Sequence, residues 1–275
     1  MNKMILCCPI CGKALQSKEK SMICENRHNF DIAKSGYVNL LMSNQSGSKR
    51  HGDDKLMVLS RHDFLEKGYY EHLLHAVFEA VLAEVSDDCV ILDAGCGECY
   101  YTSYIYNHLL ESGIPCSIAG VDISKDALSL GAKRNKSLEL AVASVNHLPA
   151  ADNSCDIILS IFAPCAEREF LRVLRDCGKL IRAVPLERHL WSLKSAVYDK
   201  PYENESEVFE LEGFKLNSLC RVCRKIVLPC NEDIINLFRM TPYYYKTGIK
   251  DQQKLASLEV LETETQFGVL VYEKL

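Results

Sequence analysis

The chain has 275 residues, a net charge of −5, 48% apolar residues and 25% charged residues, which is ordinary globular composition for one large domain plus a small appendage. No apolar run approaches the ~20 residues a membrane span needs, and no secretory h-region opens the chain, so a cytoplasmic protein with no membrane partner is expected. Fourteen cysteines in such a chain point to metal binding and buried thiols more than to disulfides.

Residues 1–60 carry a net charge of +4 and the remainder −9. A basic arm on an acidic body can follow a phosphate backbone locally, because screening confines each patch to ~10 Å. A solvated lysine-rich face is the plainer alternative.

Four cysteines and a histidine fall within Cys7–Asp31. Zinc takes four soft or borderline donors in a tetrahedron, usually from two short chelating pairs. Cys8-x2-Cys11, with Pro9 and Gly12 suited to a tight turn, forms the first pair. Cys24-x3-His28 forms the second, across a short hairpin whose apolar side chains are Leu15, Met22 and Ile23. Cys7 is one residue too far from Cys11 for a knuckle and is assigned to packing. Residues 1–36 are thus read as a zinc-binding module, with the ion supplying stability that so small a core lacks. Residues 37–70 are read as a linker, since Tyr37–Lys55 is rich in Ser, Asn, Gly and charge.

From residue 71 to 275 the pattern is one α/β domain. Leu73, Leu74, Val77, Phe78, Val81, Leu82 and Val85 recur at helical spacing over 71–85. Strands follow at 89–97, 116–122, 138–144, 155–162 and 178–184, separated by helices to about 110, from the Ser124 cap to 133, and at 167–175. Such alternation predicts a Rossmann-like, doubly wound, mostly parallel sheet. The segment 258–275 reads as a C-terminal hairpin turning near Gln266–Gly268.

Asp93-Ala94-Gly95-Cys96-Gly97-Glu98 ends the first strand, where open α/β sheets bind ligands. Glycines let the backbone approach a ligand, and the next helix offers free N–H groups. A dinucleotide fingerprint needs glycine three residues after Gly97, but Tyr100 stands there. The acid-x-Gly-x-Gly pattern resembles motif I of S-adenosylmethionine-dependent methyltransferases. Asp122, ending the second strand, can accept both ribose hydroxyls. The bland alternatives are a turn-forming Asp93 and a helix-capping Asp122. Cys99 stands where the pattern often has glycine, which costs ~1 kcal/mol if φ must be positive.

The order of these segments, with "FDIAKSGYVNLL", "LDAGCGECYYT", "FAPC" and "ERHLWSLK", resembles the RlmA family of 23S rRNA guanine-N1 methyltransferases over nearly the whole chain. The resemblance implies that Cys8, Cys11, Cys24 and His28 hold zinc and that Tyr70, Gly97, Glu98 and His189 contact S-adenosylmethionine. It further implies a homodimer that presents its zinc modules to a 23S rRNA hairpin. By residue type alone, Tyr70 reads equally as core and His189 as a surface histidine.

Guanine N1 carries a proton that must leave, but no carboxylate declares itself as the base, and no catalytic residue is assigned. A paired guanine must be flipped or come from a loop, and Tyr243, Tyr244 and Tyr245 of "TPYYYK" are candidates for an aromatic platform. Two other readings compete. Cys165 of "FAPC" resembles the nucleophile of pyrimidine-C5 RNA methyltransferases, or the chain is a non-catalytic zinc-containing RNA-binding protein. Cys220, Cys223 and Cys230 lack a fourth nearby donor and read as strand cysteines.

Overall fold

The computed structural model describes residues 4–42, 53–205 and 209–275. At the N-terminus, β1 (Leu15–Lys18), β2 (Ser21–Cys24) and β3 (Asn29–Asp31) form a small antiparallel sheet. The body is built on eight further strands: β4 (Val38–Asn39), β5 (Cys89–Ala94), β6 (Cys116–Asp122), β7 (Glu139–Val142), β8 (Cys155–Ile161), β9 (Leu174–Pro185), β10 (Phe214–Leu228) and β11 (Leu261–Lys274). They lie in the order β10-β11-β9-β8-β5-β6-β7-β4. Only β11 runs against its neighbours in this sheet, pairing antiparallel with β9 and β10. The order reverses at β5, so its carboxyl end lies at the switch point where such sheets form a crevice.

β5 is buried along its whole length, as expected of a parallel strand covered on both faces. Its side chains alternate: Cys89 and Ile91 enter one core layer, whereas Val90, Leu92 and Ala94 enter the other. The first layer is filled by α2 (Glu71–Leu82), α3 (Tyr100–Glu111) and α4 (Lys125–Arg134), through residues such as Leu73, Val77, Ile105, Leu109 and Leu128. The second takes Phe170 and Val173 of α5 (Glu167–Val173) and, unexpectedly, Ile5, Leu6, Leu15 and Met22 of the N-terminal module.

The module reaches that face because the β7–β8 connection, residues 143–154, contains no helix. Leu6 bridges to Ala150, and the Cys7 N–H donates to the Pro149 carbonyl at 2.7 Å. Glu139 on β7 accepts from the Ile5 N–H at 3.2 Å and the Leu6 N–H at 3.4 Å. The module thus covers sheet that a crossover helix would otherwise cover.

Two boundaries differ from expectation. The stretch 37–70 is not a bare linker at either end: Val38 and Asn39 pair with Ala141 and Val142, and α1 spans Lys55–Glu66. The Asp54 carboxylate caps α1 by accepting from the Met57 N–H at 2.9 Å. The Ser/Gly-rich centre, residues 43–52, lies outside the described residues. Nor does the chain turn at 266–268. β11 runs straight through, and the antiparallel pair is made between β10 and β11, joined through α7 (Asn231–Arg239) and short helical turns. Gly268 misleads because it serves packing, not turning. A Cβ there would lie 3.2 Å from both Leu186 and Leu219 side chains.

Replacing Glu139 by alanine leaves two backbone N–H groups without their charged acceptor. The expected loss in unfolding free energy is ~1.5–3 kcal/mol by urea titration. An unchanged midpoint would mean that this contact does not hold the module to the sheet.

Candidate functional site

Two knuckles build the metal centre. The Gly12 N–H donates to the Cys8 carbonyl at 2.8 Å, with Gly12 at φ +70°. The Arg27 N–H donates to the Cys24 carbonyl at 2.9 Å, with Arg27 at φ +65°. The donor atoms of Cys8, Cys11, Cys24 and His28 lie within 4.8 Å of one another, the one such group among the described residues. Cys11 Sγ and Cys24 Sγ are 3.7 Å apart, and His28 Nδ1 is 3.4 Å from the sulfurs of Cys8 and Cys24. A tetrahedron with Zn–S bonds of ~2.3 Å and Zn–N of ~2.0 Å has edges of ~3.8 and ~3.5 Å. These three separations match the edges of a zinc tetrahedron. The Lys13 N–H is the main cause that brings the Cys11 thiol down to about 6, toward the thiolate a metal requires. Four protein donors leave no open position, so the ion is structural. Cys7 faces the Ile5 carbonyl and stands apart.

The glycine turn leaves β5 through Gly95 (φ +95°) and Gly97 (φ +55°). A Cβ on Gly95 would lie 2.4 Å from the Ala163 Cβ, so only glycine lets the loops after β5 and β8 meet. A Cβ on Gly97 would meet nothing within 4 Å, so the turn opens onto free space there. The Gly97 N–H donates to Asp122 Oδ2 at 2.9 Å, and the Ser124 N–H donates to Oδ1 at 2.7 Å. Ser124, not Asp122, caps α4, accepting from the Ala127 N–H. Burial raises the Asp122 pKa and these two bonds oppose it. A carboxylate offers about four acceptor sites, so roughly two remain for a diol.

Asp93 is buried behind the turn. Its Oδ2 accepts from Thr102 Oγ1 at 2.6 Å, while Oδ1 has no hydrogen-bond partner. Burial pushes its pKa up to about 7. A buried carboxylate oxygen without a partner suits a cationic group, and S-adenosylmethionine carries an ammonium. The site therefore fits that cofactor at its acidic and glycine positions.

Cys99 adopts the left-handed conformation, φ +60° and ψ +31°, at the start of α3. The expected strain of ~1 kcal/mol is present, and a compensating contact accompanies it. Its thiol lies in a notch left by Gly131, where a Cβ would be 2.6 Å from the sulfur.

Glu98 in the turn is held by charge. Its Oε2 pairs with His62 Nδ1 and lies 3.3 Å from Arg134 Nη2, which also pairs with Glu66 at 2.6 Å. His62 and Arg134 were not legible in the sequence, because neither belongs to a motif.

Tyr70 and His189, 119 residues apart, meet: the Tyr70 hydroxyl is 3.4 Å from His189 Nε2. The Gln266 N–H donates to His189 Nδ1 at 3.2 Å, leaving the ring proton on Nε2 facing Tyr70. Burial drives the His189 pKa down to about 3, so the ring is neutral. Phe267 packs against both rings, at 4.9 and 4.6 Å between centroids. His189 is thus not a surface histidine, and Tyr70 has core contacts. The charge of Arg61 acts on both Tyr70 and Asp122, so this wall and the turn share one electrostatic neighbourhood.

Lys194 belongs to α6 (Trp191–Val197), and its residue type alone suggests no role. It is buried, donates to the Tyr202 carbonyl and Asn204 Oδ1, and lies over the rings of Tyr202 and Tyr243. The Tyr243 hydroxyl also donates to Asn204 Oδ1 at 2.9 Å, and Tyr244 packs edge-on to Phe238. Of the three consecutive tyrosines, only Tyr245 is exposed.

Cys165 lines a cleft of about 620 Å³ with Asn146, Arg168, Glu169, Leu171 and Gly213 among others. No residue of the glycine turn, nor Asp122, Tyr70 or His189, lines it. Cys220 and Cys223 are exposed on β10 and belong to no donor cluster among the described residues.

Metal analysis should find about one zinc per chain, and Cys24→Ser should lose it, since three donors leave the tetrahedron open. Full zinc retention by that variant would remove Cys24 from the centre.

Comparison with known proteins agrees with this geometry. Residues 6–49 match the zinc-ribbon family model described as RlmA, N-terminal, and residues 91–183 match a methyltransferase domain model. The protein YxjB of Bacillus subtilis (strain 168), provisionally named a 23S rRNA (guanine-N(1)-)-methyltransferase, is 33% identical over 218 residues. That alignment covers 77% of this chain and 75% of YxjB. The 23S rRNA (guanine(748)-N(1))-methyltransferase of Streptomyces fradiae is 33% identical over 194 residues, 69% of this chain and 66% of the relative. Among solved structures, the YcgJ protein of Bacillus subtilis shares the fold, with a TM-score of 0.50 at 14% identity over 74% of this chain and 98% of that one. The chain therefore belongs to the RlmA family of 23S rRNA (guanine-N1)-methyltransferases, in which a zinc ribbon precedes an S-adenosylmethionine-dependent methyltransferase domain.

Proposed function

We propose that this protein methylates N1 of a guanine in a 23S rRNA hairpin, acting as a cytoplasmic homodimer. In this reading Asp93, Gly95, Gly97 and Asp122 hold the cofactor, Tyr70 and His189 line its site, and Glu98 contributes from the turn. The observation that carries it is the Asp122 carboxylate bonded to the Gly97 N–H beside open space. S-adenosylmethionine, when bound, supplies the methyl group as a sulfonium substituent.

What the chain must then do is positional. In-line transfer needs acceptor nitrogen, methyl carbon and sulfur held collinear, which favours a turn fixed on two sides. Gly95 against Ala163 and Gly97 against Asp122 are those two restraints. Asp122 would accept from the ribose hydroxyls, and Asp93 would pair with the ammonium. Tyr70 and the neutral His189 form an apolar, water-poor wall. The zinc ribbon carries exposed Lys18, Lys20 and Arg27, which suit a phosphate backbone. A homodimer presenting two such ribbons follows from the family resemblance, and the cytoplasmic location follows from a ribosomal RNA substrate. Among the described residues no helix is long and apolar enough to cross a membrane.

Attack by a ring nitrogen needs no enzyme nucleophile, which favours this reading over pyrimidine C5 chemistry. Cys165 opens into a cleft that none of the proposed cofactor residues lines. The test is nucleoside mass spectrometry of 23S rRNA treated with wild-type protein and with Cys165→Ser. Both should yield 1-methylguanosine. A 5-methylpyrimidine product that vanishes with Cys165→Ser would overturn the assignment.

A further inference from the structure

Cys96-Gly97-Glu98-Cys99 places a Cys-x-x-Cys pair across the cofactor turn, at the head of the 12-residue helix α3. The Cys99 N–H donates to the Cys96 carbonyl at 2.9 Å, closing the turn. Such a turn brings its end Cα atoms within ~7 Å, and disulfides span Cα separations of ~4.4–6.8 Å. Both thiols are buried and are neighbours: after burial, Cys99 is the main influence that raises the Cys96 pKa.

Each sulfur rests in a notch left by a glycine. A Cβ on Gly120 would lie 2.8 Å from Cys96 Sγ, and one on Gly131 would lie 2.6 Å from Cys99 Sγ. These notches are on different elements, β6 and α4. Drawing the sulfurs to the ~2.05 Å of a disulfide must lift at least one from its notch. Gly97, whose N–H is bonded to Asp122, lies between them and moves with the turn.

We propose that Cys96 and Cys99 are a redox modification site, forming a reversible disulfide that weakens cofactor binding. The proposal rests on reading this turn as the S-adenosylmethionine site. With hydrogen peroxide as oxidant, a thiolate of the pair attacks the O–O bond, giving a sulfenic acid and, with a proton, water. The second thiol attacks the sulfenic sulfur; the S–S bond forms, the S–O bond breaks and a second water leaves. The cysteines lose two electrons and two protons, and the peroxide takes both. Burial raises the Cys96 pKa and so slows attack by that thiol, and the rate rises with pH.

The test uses full-length zinc-loaded protein, hydrogen peroxide, peptide mapping by mass spectrometry and calorimetry with S-adenosylmethionine. A Cys96–Cys99 peptide lighter by about 2 Da should appear. Affinity should fall by about tenfold or more and return with dithiothreitol. Cofactor bound beforehand should slow the bond's formation. In Cys99→Gly, which suits the left-handed position and keeps every zinc cysteine, affinity should not respond to peroxide. An equal peroxide-dependent loss in that variant would overturn the proposal, as would a formed bond with unchanged affinity. Reduced protein that binds the cofactor yet never forms the bond would overturn the switch alone. Reduced wild-type protein that binds no S-adenosylmethionine would overturn the cofactor reading and the switch with it.

Discussion

The contact on which the site depends is the hydrogen bond from the Gly97 N–H to the Asp122 carboxylate. It joins the ends of two neighbouring parallel strands and fixes a turn whose φ values at Gly95 and Gly97 are both positive. The acid also accepts from the Ser124 N–H at the start of α4, so strand end, turn and helix start are tied to one group. Burial raises the Asp122 pKa, and the two N–H donors oppose that shift by favouring the charged form. The same carboxylate therefore shapes the turn and keeps lone pairs available to a ligand.

The zinc ribbon is integrated with this frame more closely than a tethered module would be. Its apolar residues share a core layer with Val90 and Leu92 of β5 and with Ala119 and Val121 of β6. The ion orders the knuckles, while the sheet supplies the surface against which they pack. Each part covers apolar area that the other leaves open. This arrangement packs the zinc ribbon directly against the sheet whose strand β5 ends in the glycine turn.

Much of this was legible in the sequence for physical reasons. Zinc knuckles announce themselves because ligand spacing is dictated by turn geometry, and Cys8, Cys11, Cys24 and His28 do converge. Strands β5, β6 and β8 stand out because burial on both faces demands continuous apolar runs. Other features could not be read. The α1 helix has only a weak apolar pattern, and its ends are fixed by Asp54 and by packing on α7. Gly268 has the signature of a turn but answers to Leu186 and Leu219 across the sheet. His62 and Arg134 acquire their roles only from partners distant in sequence, as with the 119-residue gap that closes between Tyr70 and His189.

The central claim is that Asp122 is the cofactor's ribose acceptor as well as the clamp on the turn. Calorimetric titration of S-adenosylmethionine into Asp122→Ala tests it most directly. Loss of a charged acceptor should weaken binding by ~1.5–3 kcal/mol, roughly 10- to 150-fold, in a variant that still carries its zinc. Wild-type affinity in that variant would contradict the account.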